Sequence, residues 1–373
     1  MIFLLRNSIA LDLNKCYNPL MLRFLTAGES HGKALIAILD GMVANLPLTT
    51  EDINPDLSRR QGGYGRGGRM KIEKDEAEIL SGIRLGKTIG SPIAVMIPNR
   101  STEFFEKVVT VPRPGHADLA GALKYNQKDI RNVLERASAR ETAARVAVGA
   151  ICKRFLSEFK MKFSSSIVHI GGQSDEKKWK KAIDEAKNAG DTLGGVFQIE
   201  ISNCPPGLGS FMQWDRRIDG RLALALMSIP AIKGVEIGLG FEQAKLPGSK
   251  VHDEIYYLPA GRHGGKGKFF HKTNNAGGLE GGVTNGETVI LKAAMKPIST
   301  LAKPLKSVDL ATKKPTEAFV ERSDVSAVEA AAVVGEAVSA FEIANALIDK
   351  FGGDSLEETK DNFTAYQKRI SVI

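Results

Sequence analysis

Cysteine is scarce in this sequence: Cys16, Cys152 and Cys204 are the only three, far apart and without a C-x-x-C pair. That spacing argues against a zinc site and against a disulfide framework, and makes a reducing cytoplasm the default compartment. Long apolar runs are also missing. The N-terminal stretch "MIFLLRNSIALDLNKCYNPL" is interrupted by Arg6 and Asp12 and has no cleavage pattern. No other run reaches the roughly 18 uncharged apolar residues that a membrane helix needs, so no membrane partner is expected. No repeat of fixed period and no linker longer than a loop is present. "GESHGK" lacks the G-x-x-x-x-G-K-[ST] spacing of a P-loop, which argues against a nucleoside triphosphate cradle.

What remains is a globular composition, 43% apolar and 25% charged. The formal charge of +8 points to an anionic partner, either a polyanion or a small acidic substrate. Strands are expected in "MLRFLTA", "KALIAILDG", "SPIAVMIPN", "GGVFQIEISN", "KGVEIGLGFE" and "ETVILKAAMK". Helices are expected over 138–160, with Ser138 and Glu141 as a capping box, in "DEKKWKKAIDEAKNAG" up to Gly190, and in "DRRIDGRLALALMSIP" up to Pro230. A further helix follows Ser326, with Glu329 as its box partner. Residues 1–20 have no period and read as a loosely attached extension; 21–353 read as one α/β domain. Residues 354–373 read as a polar, frayed tail.

Five loop segments carry His, Arg or Gly that packing explains poorly. In "GESHGK", His31 either satisfies its own turn or reaches a ligand. "RRQGGYGRGGRM", residues 59–70, resembles an RGG segment, but RGG binding to RNA depends on many copies and this motif occurs once. The glycines allow close backbone approach and the arginine forks suit carboxylate or phosphate. In "VPRPGHADLAG", His116 on a stiff turn beside Arg113 suits general acid work, or else a cap at the helix beginning near Asp118. In "ERASARETAAR", a helix capped by Ser138 places Arg136, Ala137 and Ser138 at a phosphate-binding N-terminus, with Arg140 and Arg145 on the first turns. The last group joins "NNAGGLEGG", "KPIST" and "ERSD", where glycine pairs suit a flat ring and Asp324 is either a cap or a catalyst.

Taken in order and spacing, these segments resemble chorismate synthase from about Met21 to about Gly353. Small departures are "RSDVSAV" after Asp324 and Ser299 in "KPIST". The resemblance implies a β-α-β sandwich assembled as a homotetramer. The implied activity is that of a carbon–oxygen lyase: anti-1,4-elimination of phosphate from 5-enolpyruvylshikimate 3-phosphate to chorismate, the last step of the shikimate pathway. The family uses reduced FMN without net redox change. By the same resemblance Arg59, Arg60, Arg66, Arg69, Arg113 and Arg140 meet the substrate. His116 protonates the departing phosphate, His31 stabilises the reduced flavin, and Asp324 relays a proton near it. Flavin contacts map to Arg136, Ala137, Ser138, Pro230, Ala231, Gly281, Lys296, Pro297, Ile298, Ser299, Thr300 and Arg322. Arg60 and Arg66 are candidates for NADPH if the protein reduces its own flavin, although no added reductase segment is visible. An RNA-binding module is the competing class; the expectation is a small-molecule enzyme with no nucleic-acid partner and no metal.

Overall fold

Alternation along "ALIAILD" and "IAVMIP" sends every second side chain to one face. In the computed structural model, which describes residues 22–67, 74–102, 105–259, 267–321 and 323–372, these segments are strands β2 (Ala34–Asp40) and β4 (Ile93–Pro98). They join β1 (Arg23–Ala27) and β3 (Glu78–Ile79) in an antiparallel sheet of order β1-β2-β4-β3. Leu35, Ala37 and Leu39 lie opposite Ile97, Val95 and Ile93, and all six are buried. A second antiparallel sheet repeats the device. Its strands are β5 (Lys162–Ile170), β6 (Gly195–Ser202), β7 (Ile232–Ile237) and β8 (Val289–Met295), in the order β5-β6-β8-β7. Phe197, Ile199 and Ile201 pair with Ala293, Leu291 and Val289 on its buried face.

Two apolar sheet faces need a layer that is apolar on both sides. Helices α4 (Thr142–Ser157) and α7 (Val328–Phe351) supply it, since each is buried around almost its whole circumference. α4 packs on β2 and β4, α7 packs on β5 and β6, and the two helices pack on each other. Two glycines permit the close approach. A Cβ on Gly149 would stand 2.3 Å from that of Ala337, and one on Gly335 would meet Phe197 and Ile199 within 2.8 Å. The result is the expected β-α-β sandwich. α7 is long and apolar enough to cross a bilayer, but 94% of its apolar window is covered by the fold, so it is the central core helix.

Around this layer lie α1 (Asn54–Gln61), α2 (Asp118–Tyr125), α3 (Arg131–Ala137), α5 (Glu176–Asn188) and α6 (Ile218–Met227). Three expectations need correction. Ser138 does not start a long helix: its extended backbone ends α3 and caps a 3₁₀ turn, Ala139–Glu141, that leads into α4. Arg136 and Ala137 therefore close a helix rather than open one. Ser326 and Glu329 form no capping box, because Glu329 instead accepts the Tyr64 backbone N–H at 2.5 Å. Finally, the polar tail is helix α8 (Leu356–Ile370), started by Ser355, with Phe363 seated on Phe159 and Phe351. The 1–20 extension lies outside the described residues.

The helix crossing generates a direct test. Gly149→Ala should destabilise the fold by about 1–3 kcal/mol through overpacking against Ala337. Gly220 in α6 has no atom within 4 Å of its added Cβ, so Gly220→Ala should be neutral or stabilising by about 0.5–1 kcal/mol. Thermal melts of the two variants, read side by side, check the prediction.

Candidate active site

The N-terminal ends of α4 and α7 open at one place, and the loops after β1 and β8 meet them there. Between them is a cavity whose lining includes His31, Arg60, Arg66, Arg113, His116, Ala137, Ser138, Arg140, Pro230, Ala231, Lys296, Ile298, Ser299, Thr300 and Asp324. Its volume is about 560 Å³, within the range of small-molecule sites. Among the described lining residues, Arg60, Arg66, Arg113, Arg140 and Lys296 face only the carboxylates of Glu321 and Asp324. The wall thus carries more cations than anions, a balance that suits an anionic ligand.

Each cation is held from behind. Asp75 is buried and takes Arg60 at 3.3 Å and Arg140 at 2.5 Å. Arg60 also donates to Thr142 Oγ1 and the Ala139 carbonyl, and burial lowers its pKa to about 10. Arg140 Nε donates to Asn99 Oδ1 at 3.0 Å, while the Asn99 amide donates to the carbonyls of Glu29 and Gly32. That asparagine couples the arginine to the turn carrying His31. Arg66 pairs with Asp324 at 2.9 Å, and Gly67 N–H donates to the same carboxylate. Among the described residues Arg66 Nε is buried with no acceptor, a donor that a ligand would satisfy. Lys296 Nζ and Ser299 Oγ both donate to the Gly115 carbonyl.

The two histidines are set in the same way. His31 is buried; its ring Nδ1 and backbone N–H meet Glu135 Oε1 and Oε2 at 2.9 and 2.7 Å. Burial would raise the Glu135 pKa, but these bonds and Arg131 hold it below the ordinary value. Arg131 also reaches Glu321 on the cavity wall at 3.1 Å. His116 Nδ1 lies 2.5 Å from Asp118 Oδ1. Burial opposes that charge, yet His116 and Arg113 keep Asp118 well below the usual carboxylate range. Ser30 and Ser138 hydroxyls meet at 3.2 Å on the wall.

The chorismate synthase family profile matches residues 22–348. The chain is 58% identical to the chorismate synthase of Thermoanaerobacter pseudethanolicus, across 92% of this chain and 98% of that one. The chain belongs to the chorismate synthase family. It is also 54% identical to the chorismate synthase of Aquifex aeolicus, with 94% and 98% covered. A solved structure titled "Crystal Structure of Chorismate Synthase" superimposes with a TM-score of 0.78 at 48% identity, covering 95% of this chain and 99% of that one.

Not every candidate residue reaches the cavity. Arg59 requires correction as a substrate cation. It turns the other way and grips Glu336, which is fully buried in α7, at 2.6 Å, and Asp56 at 2.8 Å. Arg136 ties down the end of β1 through Thr26 and Gly28. Gly281 sits at the tip of a short hairpin, and Pro297 is exposed between two lining residues; neither is on this wall. Arg69 and Arg322 lie outside the described residues. The carboxylates and amides behind the cations (Asp75, Asn99, Asp118, Glu135, Glu321) were not singled out from sequence as site residues, because isolated acidic and amide residues have no spacing signature.

Arg59 gives the test. Lys153 and Ser165 also hold Glu336, whose pKa is lowered to about 2: burial would raise it, and the bonds from Arg59 and Lys153 outweigh that. A depressed carboxylate stabilises the fold above its ordinary value of 4.5, and that stability is lost as pH falls through about 2. Arg59→Gln should therefore cost about 2 kcal/mol at pH 7, clearly less near pH 3, and leave KM for an anionic substrate unchanged. Denaturant melts at the two pH values, with KM at pH 7, check all three.

Proposed function

We propose that this chain eliminates phosphate from 5-enolpyruvylshikimate 3-phosphate to give chorismate, with reduced FMN in the same cavity and no net change of oxidation state. The observation that carries this reading is five cations and a carboxylate-backed histidine converging on one 560 Å³ cavity. The substrate bears two carboxylates and a phosphate, and such a set of cations complements it.

The residues present also fit a flavin phosphate and a flat ring. Ala137, Ala139, Ala327, Ala330 and Ala331 give a wall of small side chains, while Lys296, Ser299 and Thr300 bring an ammonium and two hydroxyls to its edge. When bound, reduced FMN supplies transient electron density and a ring nitrogen able to take a proton. Arg113 and Arg140 neutralise and orient the anionic groups. His116 donates a proton from Nε2 to the oxygen of the departing phosphate as the C–O bond breaks, a ring C–H proton leaves and the new C=C forms. His31, tied to Glu135, would offer a positioned imidazole to the flavin, and Asp324, paired with Arg66, would relay a proton. NADPH would enter only if the chain reduced its own flavin, with Arg60 and Arg66, both on the cavity wall, as its contacts. A homotetramer and a cytoplasmic location belong to the same reading; exposed Phe211, Met212 and Trp214 offer apolar surface for association.

An anaerobic assay with dithionite-reduced FMN should release phosphate and form chorismate stoichiometrically; absence of both would refute the reading. NADPH with oxidised FMN should not substitute. In the same assay KM should rise steeply with ionic strength, because the attraction between the arginines and the substrate is screened. His116→Ala should lower kcat by about 10²–10⁴-fold with little change in FMN affinity. A substrate with a better leaving group than phosphate should recover much of that loss, whereas normal turnover would remove His116 from the mechanism.

A further inference from the structure

Arg113, His116 and Asp118 form a closed triangle at the cavity edge. Asp118 is 1% exposed. Its Oδ2 accepts from the Arg113 backbone N–H at 3.0 Å and from Nε at 2.8 Å. Its Oδ1 accepts from Arg113 Nη2 at 3.1 Å and lies 2.5 Å from His116 Nδ1. Arg113 Nη2 is itself 3.1 Å from that same ring nitrogen and 3.4 Å from Nε2. There are two ways to place the ring proton. A bare Nδ1 accepts from the guanidinium, but its lone pair then faces an anionic oxygen at 2.5 Å, which is repulsive. A protonated Nδ1 donates to Asp118, and Arg113 donates to the same oxygen, which has lone pairs for both. Arginine is always charged and keeps Asp118 ionised, so the proton belongs to the ring.

We propose that Asp118 is a positioning residue for the elimination: it pins the Nδ1 proton of His116, so the proton given to the leaving phosphate comes from Nε2. This rests on the reading of His116 as the acid. Without the carboxylate, imidazole is free to hold its single proton on either nitrogen or to rotate, and only one of these states can be recharged for the next turnover. An asparagine in place of Asp118 has one oxygen and one NH₂ to set against donors on both sides, so a donor must face a donor. An aspartate whose only task was to begin α2 would make none of these demands.

The test is a double-mutant cycle under anaerobic conditions with reduced FMN. Asp118→Asn should lower kcat by about 10²–10⁴-fold in the otherwise normal chain, and the better leaving group should restore much of it, as for His116→Ala. In the His116→Ala background the same substitution should change kcat less than about threefold. An equal loss in both backgrounds, or a loss seen only in KM through Arg113, would overturn the proposal. So would near-normal kcat in Asp118→Asn while His116→Ala is impaired. Failure of the unmutated chain to release phosphate, or full activity in His116→Ala, would instead refute the functional reading and the proposal with it. Should Asp118→Asn not fold, ¹⁵N spectra of the unmutated protein decide the matter. With His116 assigned by its loss in His116→Ala, the neutral ring should carry its proton on Nδ1; a proton on Nε2 with bare Nδ1 would overturn the proposal.

Discussion

The close crossing of α4 and α7 at Gly149 and Ala337 is the constraint on which the other layers depend. Each helix must present apolar surface to its partner and to a sheet, so neither can carry a solvated stripe. The two sheets are thereby held apart by one helix layer, and their inner faces are covered throughout. The crossing also brings together the beginnings of both helices. Thr142, Ala327, Ala330 and Ala331 at those beginnings form the floor of the cavity. A methyl group forced into the crossing would therefore disturb both the core and the site. The packing link and the functional link are the same contact.

The cavity's charges follow a second rule. Every described cation on the cavity wall is restrained by an oxygen: Asp75 for Arg60 and Arg140, Asp118 for Arg113, Asp324 for Arg66, and the Gly115 carbonyl for Lys296. A buried guanidinium without such a partner is costly, and one fully paired with acids would have no field left for a substrate. Sharing resolves the conflict. Asp75 and Asp118 each serve two cationic or proton-bearing groups, so the cavity keeps net positive charge while each member keeps its hydrogen bonds. Such preorganised donors do not have to reorient as the phosphate departs.

Much of the fold was legible because period is a local property. The strands of "ALIAILD" and "ETVILKAAMK" and the long helix of residues 328–351 announce themselves in their own sequence. The strand β5 did not, because three consecutive serines in "KFSSSIVHI" hide its alternation and it lies at a sheet edge. α8 was misread from its polarity, although Ser355 and Glu358 carry a capping pair and Phe363 an anchor. In the site, His31, His116 and four of the arginines could be named from sequence and by resemblance. The groups that hold them, Asp324 apart, could not. Glu135 is 104 residues from His31 and Asp324 is 257 residues from Gly67; only the folded chain creates those neighbours.

The stretch "RRQGGYGRGGRM" shows how the same letters divide their labour. Its first two arginines stand on the last turn of α1, where consecutive residues point about 100° apart. Arg59 therefore leaves the cavity side for Glu336, inside the helix layer, while Arg60 turns inward to Asp75 and the wall. Beyond the helix, Gly65 sits where any Cβ would strike Ile183, and its carbonyl accepts the Val325 N–H. Tyr64 is fixed by Asp184 and Glu329. Those contacts carry Arg66 to Asp324. An unfolded RGG segment uses its arginines interchangeably along a polyanion. Here each of its three described arginines has a separate address, set by helix phase and by one glycine, and that requires a folded frame rather than a repeated motif.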